Sequence, residues 1–157
     1  MEVQFIRGII LSYTQIYYHI IYSTKNRVPS LIAERRRNLY NYLWGILKNN
    51  KCQLYQMGGT ADHIHILTSI HSTVCLANLI RDMKTGSRYW IKQENIFPHF
   101  PGWQNEYGAF TKSYSQRDSV IDYIKNQEEH HKTESSIEEF RRLLKEEGVA
   151  FDERYLQ

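Results

Sequence analysis

Asp62-His63-Ile64-His65-Ile66-Leu67-Thr68-Ser69 reads as a β-strand, and the stretches on either side of it read as its supports. Side chains alternate between the faces of a strand, so His63 and His65 point one way while Ile64, Ile66, Thr68 and Ile70 point the other. Two imidazoles at this spacing are near enough to share a metal ion, and the apolar residues beside them would fix the strand against a core. A half-exposed strand with no site would alternate in the same way, so the rest of the chain has to decide.

Immediately upstream, Gln53 to Gly58 reads as a strand that turns through Gly59-Thr60-Ala61 into the histidine strand as a hairpin. Before it, Leu39, Tyr42, Leu43, Ile46 and Leu47 recur at helical spacing, from a start near Pro29-Ser30 to the Asn49-Asn50 pair. Ser12 to Thr24 alternates as a first strand, with Ile16, Tyr18, Ile20 and Tyr22 on one face and Gln15, Tyr17, His19 and Ile21 on the other. Downstream, a helix capped by Ser72 or Thr73 buries Leu76, Leu79, Ile80, Met83, Trp90 and Ile91, while Arg81, Lys84, Arg88 and Lys92 stack along another side. An aromatic loop from Phe97 to Trp103 leads to a fourth strand from Tyr107 to Tyr114. Ser115-Gln116-Arg117-Asp118 resembles a capping box and opens a helix to about His131, on which Tyr123 and Gln127 share a face. A last capped helix carries Ile137, Phe140, Leu143 and Leu144 and closes at Gly148.

This order predicts an α+β fold: a ferredoxin-like four-stranded antiparallel sheet with helices on one face, plus C-terminal helices carrying Tyr123. Residues 12–148 are expected to form one domain, with 1–11 an N-terminal extension and 149–157 a tail.

Of the 157 residues, 24% are charged and 41% apolar, which is globular, and no run of about 18 apolar residues could span a bilayer. Cys52 and Cys75 match no metal spacing, which fits reduced thiols and a cytoplasmic location. Met1 to Leu11 is interrupted by Glu2, Arg7 and Gly8, unlike a signal peptide. The net charge of +3 is a weak sign of a nucleic-acid partner, and its distribution says more than its sum. Spaced as it is, the stripe Arg81, Lys84, Arg88 reads as a solvated face or as a track for phosphates.

A histidine pair on a central strand, followed about sixty residues later by Tyr123 and Gln127, is similar to the set found in the HUH single-tyrosine transposases, including the REP-associated ones. The resemblance runs from about Ser12 through Gly148. It takes in His63-Ile64-His65, Tyr123-Ile124-Lys125-Asn126-Gln127, the Ser23-Thr24-Lys25-Asn26-Arg27 exit, Lys84-Thr85-Gly86-Ser87, Trp103-Gln104 and Asn126-Gln127-Glu128-Glu129-His130-His131. It implies that His63, His65 and Gln127 hold Mg²⁺ or Mn²⁺ and that Tyr123 attacks DNA to form a 5′-phosphotyrosine. It also implies a substrate of single-stranded DNA with hairpin ends and a homodimer. Lys25, Arg27, Arg81, Lys84 and Arg88 are then the expected DNA contacts.

The chemistry suits those residue types. A phosphodiester repels nucleophiles with its own negative oxygens, which a divalent ion offsets. A phenol with a pKa near 10 needs a cation nearby to attack at neutral pH. A domesticated relative that binds or nicks hairpins without mobilising itself would carry the same residues. A pure nucleic-acid-binding module would have no use for Tyr123 and Gln127. His19, His130 and His131 read as structural or surface histidines.

Overall fold

A computed structural model of the chain describes residues 2–6 and 9–156. Glu2–Ile6 (β1) and Ile9–Thr14 (β2) pair antiparallel as a separate two-stranded ribbon. The expected extension 1–11 thus lies mostly in this ribbon, with Met1, Arg7 and Gly8 outside the described residues. The single strand expected from Ser12 to Thr24 is two strands. The chain leaves β2 at Thr14, passes Gln15-Ile16 and enters Tyr17–Ser23 (β3), because β2 pairs with β1 whereas β3 pairs within the main sheet.

That sheet comprises β3, Gln53–Gly59 (β4), His63–Ser69 (β5) and Gly108–Lys112 (β6), in the order β4-β5-β3-β6 with every pairing antiparallel. Ala33–Asn49 (α1) joins β3 to β4, and Leu76–Glu94 (α2) joins β5 to β6. This is the expected ferredoxin-like arrangement, with the histidine strand in the middle. Its register sets His63 opposite Ser23 and His65 opposite Ile21.

Helix α1 buries Leu39, Leu43 and Leu47, and α2 buries Leu79, Ile80, Met83 and Ile91. Both pack on the sheet face carrying Ile20, Tyr22, Ile64 and Ile66, and together these form the main core. Each apolar stripe repeats every three or four residues, so one side of each helix is lost to water when it meets the sheet. Helix α2 begins later than expected, with Cys75 rather than Ser72 or Thr73 preceding its first turn. Thr73 is engaged in a local turn instead, where its hydroxyl meets His71 Nδ1 at 2.7 Å.

The opposite face is also covered, so every residue from His63 to Thr68 is buried. Arg117–Lys125 (α3) sets Ile124 on Tyr17 and Leu67, and Ser136–Glu146 (α5) sets Leu143 and Leu144 on Ile21 and Phe110. The helix expected to run unbroken to His131 ends at Lys125. Asn126, at φ −97° and ψ 19°, breaks it, and a single turn, Gln127–His130 (α4), follows. Its start also differs: Ser113 N–H donates to Gln116 Oε1 at 3.0 Å, two residues before the expected box at Ser115.

Candidate active site and metal centre

Between the two apolar patches of the covered face lie the histidines. His63, His65 and Glu139 each offer a ligand atom, and these atoms all lie within 4.8 Å of one another. The sheet supplies the two rings through the alternation of β5, and α5 supplies the carboxylate from its first turn. The start of α5 is fastened to β5: Ser136 Oγ donates to Asp62 Oδ2 at 2.7 Å, and Ser135 and Glu138 close a capping box.

Glu139 uses its two oxygens differently. Oε2 faces the histidines, at 3.2 Å from His63 Nε2, 3.2 Å from His65 Nε2 and 2.8 Å from His131 Nε2. Oε1 accepts from Gln127 Nε2 at 2.9 Å and from the Tyr123 hydroxyl. Gln127 Oε1 returns to the same centre, 3.0 Å from His63 Nε2. Two imidazoles, a carboxylate and an amide oxygen therefore converge, a donor set that suits a divalent ion such as Mn²⁺ or Mg²⁺.

The protons are distributed accordingly. Burial pushes His63 toward neutrality, but hydrogen bonds to Asp62 (2.7 Å) and Glu139 and their charges prevail, raising its pKa to about 9. His65 is fully buried, and desolvation outweighs the Glu139 carboxylate that it shares with His63 and lowers it to about 4. Its Nδ1 meets His19 Nε2 at 2.9 Å, and burial holds His19 well below the usual range. Burial alone would raise Glu139, yet the hydrogen bonds from His131, His63 and His65 overcome it and keep the carboxylate ionised. Each ring thus has a partner on its far nitrogen that fixes its orientation, as metal-binding histidines require.

Tyr123 reaches this centre from α3, with its ring centroid 5.9 Å from that of His65. Burial first, then the Glu139 carboxylate, raise its pKa, while Arg142 opposes them. Arg142 Nη2 donates to the Tyr123 oxygen at 3.0 Å and is itself held by Glu134 through Nε (2.9 Å) and Nη2 (2.8 Å). All four residues singled out from sequence for chemistry, His63, His65, Tyr123 and Gln127, are brought together within one chain.

Glu139, His131 and Arg142 were not expected here. One sequence signal pointed to Glu139: it falls four residues before Leu143, inside the buried arc of α5 rather than on its wet side.

The basic residues divide. Arg81, Lys84 and Arg88 line one cleft of about 330 Å³ with Gln104 and Tyr107, and Lys25 and Arg88 line an adjoining one. Lys84, however, donates to the carbonyls of Gln104 (2.7 Å), Asn105 (3.0 Å) and Glu106 (2.9 Å), and burial lowers its pKa to about 8. Arg27 turns inward, donating to Ser23 Oγ (2.9 Å) and Ser136 Oγ (3.1 Å). Both cations therefore brace the fold, whereas Lys25, Arg81 and Arg88 stand exposed.

Comparison with known proteins gives concordant results. The family model described as "Transposase IS200 like" matches residues 12–127. The ISDra2 transposase TnpA of Deinococcus radiodurans is 25% identical over 118 residues, covering 72% of this chain and 84% of the relative. A crystal structure of a transposase-type protein from D. radiodurans R1 superposes with a TM-score of 0.56 at 26% identity, over 73% of this chain and 93% of the other. A REP-associated tyrosine transposase solved with a REP hairpin shares the fold, with a TM-score of 0.59 at 12% identity, over 78% of this chain and 74% of the other.

Proposed function

This chain belongs to the IS200-like transposase family, and from that premise we propose that it cuts and rejoins single-stranded DNA through a covalent bond to Tyr123. The observation that carries this reading is the meeting of the Tyr123 hydroxyl and the histidine centre on one carboxylate, Glu139. His63, His65, Glu139 and Gln127 would hold Mg²⁺ or Mn²⁺, which when bound offsets the charge of a non-bridging phosphate oxygen.

In this reading the Tyr123 oxygen bonds to phosphorus and the bond from phosphorus to the 3′-oxygen breaks. The phenolic proton is given up as that bond forms, and the departing 3′-oxygen takes up a proton as it leaves. The products are a 5′-phosphotyrosine and a free 3′-hydroxyl, so the reverse attack reseals DNA without ATP. Lys25, Arg81 and Arg88 would follow the phosphates outside the centre, with Lys84 and Arg27 setting the shape of that surface. Hairpin-ended DNA is the proposed partner, in keeping with the hairpin held by the REP-associated neighbour. We also retain a homodimer and a cytoplasmic location in the proposal; among the described residues no helix is long and apolar enough to cross a membrane.

The test incubates the protein and Mn²⁺ with end-labelled single strands taken from both flanks of its gene, then seeks an adduct that survives denaturation. Adduct formation by the parent and none by Tyr123→Phe is expected; an adduct from Tyr123→Phe refutes the nucleophile. For the metal, calorimetry with Mn²⁺ should show Glu139→Gln weakened about 10- to 100-fold, as loss of a charged oxygen ligand implies. Unchanged affinity would remove Glu139 from the centre.

A further inference from the structure

Among the described residues, Arg142 is the cation that meets the Tyr123 oxygen, and it is not free to wander. Arg142 lies one turn beyond Glu139 on α5, so the two residues reach the same tyrosine oxygen, one as acceptor and one as donor. Glu134 grips the guanidinium through two parallel hydrogen bonds of 2.9 and 2.8 Å, and Glu146 takes the remaining nitrogen at 3.2 Å. Its carbon also stands 5.9 Å from the centre of the Tyr123 ring. A fork held in this way has its direction fixed before substrate arrives. Glu134, Glu139 and Arg142 all lie beyond residue 127, where the family match ends.

We propose that Arg142 is a further catalytic residue, which carries the negative charge of the Tyr123 oxygen as it attacks and again as it departs during rejoining. The inference rests on the reading of Tyr123 as nucleophile. In attack, the oxygen exchanges its proton for a bond to phosphorus, and charge on it is greatest between the two. One Arg142 N–H already points at that atom. Rejoining runs through the same transition state, so the same donor serves both directions.

This symmetry gives the test. The probe is the flank-derived single strand that yields a Tyr123-dependent adduct with the parent, followed in single turnovers with Mn²⁺. Arg142→Ala should slow cleavage and rejoining by the same factor, about 100-fold, as for loss of one preorganised donor. The ratio of cut to rejoined DNA and the affinity for the strand should stay within about twofold of the parent, since a transition-state effect leaves ground states alone. Millimolar guanidinium ion should restore about tenfold of the lost rate to Arg142→Ala and nothing to Tyr123→Phe.

Arg142→Lys, which keeps the charge but not the fork, should fall between parent and alanine variant, and it carries the test if Arg142→Ala does not fold. An Arg142→Ala rate within about threefold of the parent overturns the proposal. So does a slow variant that guanidinium does not rescue, because a merely structural loss would look like that. If the parent forms no adduct, the reading of Tyr123 fails and takes this inference with it; if the parent does and Arg142→Ala equals it, only this inference fails.

Discussion

At the residue scale, His63 holds a proton where an ion would otherwise supply positive charge. Its pKa is raised to about 9 by Asp62 and Glu139 against the pull of burial, so in the metal-free protein it is charged at neutral pH. A raised histidine contributes stability that is complete below the unfolded value of about 6.5 and is lost as pH climbs through about 9. Thermal melts of metal-free protein should therefore fall across that window. Because an ion must displace this proton, the gain in melting temperature from Mn²⁺ should be small at pH 6 and grow toward pH 9. A gain independent of pH would mean that the ion binds elsewhere. Lys84 and Arg88 form a second contrast at this scale. Lys84→Met removes the donor for three loop carbonyls and should cost about 1–3 kcal/mol of stability. Arg88→Ala should leave the melting temperature alone and lower the salt dependence of DNA binding by about one phosphate contact.

At the scale of elements, the decisive fit is between α3 and β4. A Cβ on Gly58 would lie 2.6 Å from the carbonyl oxygen of Ile124, so only a glycine lets the tyrosine helix lie this close to the sheet. Gly58→Ala should push α3 outward, costing about 1–3 kcal/mol. Adduct formation should suffer far more than Mn²⁺ binding, since His63, His65 and Glu139 do not ride on α3. Equal losses in both would mean that the whole centre had collapsed. The sheet and the histidine pair were legible in the sequence because a two-residue alternation entered from the Gly58-Gly59 turn has few other readings. Glu139 was marked only by its place four residues before Leu143, a faint signal because α5 is charged along most of its length and a buried glutamate among Glu138, Arg141, Arg142 and Glu146 looks like a wet one. The break at Asn126, which has no proline or glycine to announce it, was not legible; it arises where Gln127 must turn inward to reach His63.

At the scale of the molecule, both faces of the sheet are covered, the first by α1 and α2 and the second by α3 and α5. The alternation of His63 and His65 with apolar residues pointed to one buried face; the second is buried as well because Gln127 and Glu139 close over those polar rings. Tyr123 reaches the histidines of its own chain, so a mixture of Tyr123→Phe and His63→Ala proteins should form no adduct. Recovery of activity in the mixture would show that the helix is exchanged between copies. The covering of the second face also has a consequence in time. Synthesis runs from the N-terminus, so β5 leaves the ribosome long before Glu139 and Arg142 are made. Until then His63, His65, Tyr123 and Gln127 lack the carboxylate on which they meet. On the proposed roles of Glu139 and Arg142, copies of the gene shortened by a frameshift or stop codon ahead of α5 should form no adduct with DNA, so that even a damaged gene makes no loose nuclease.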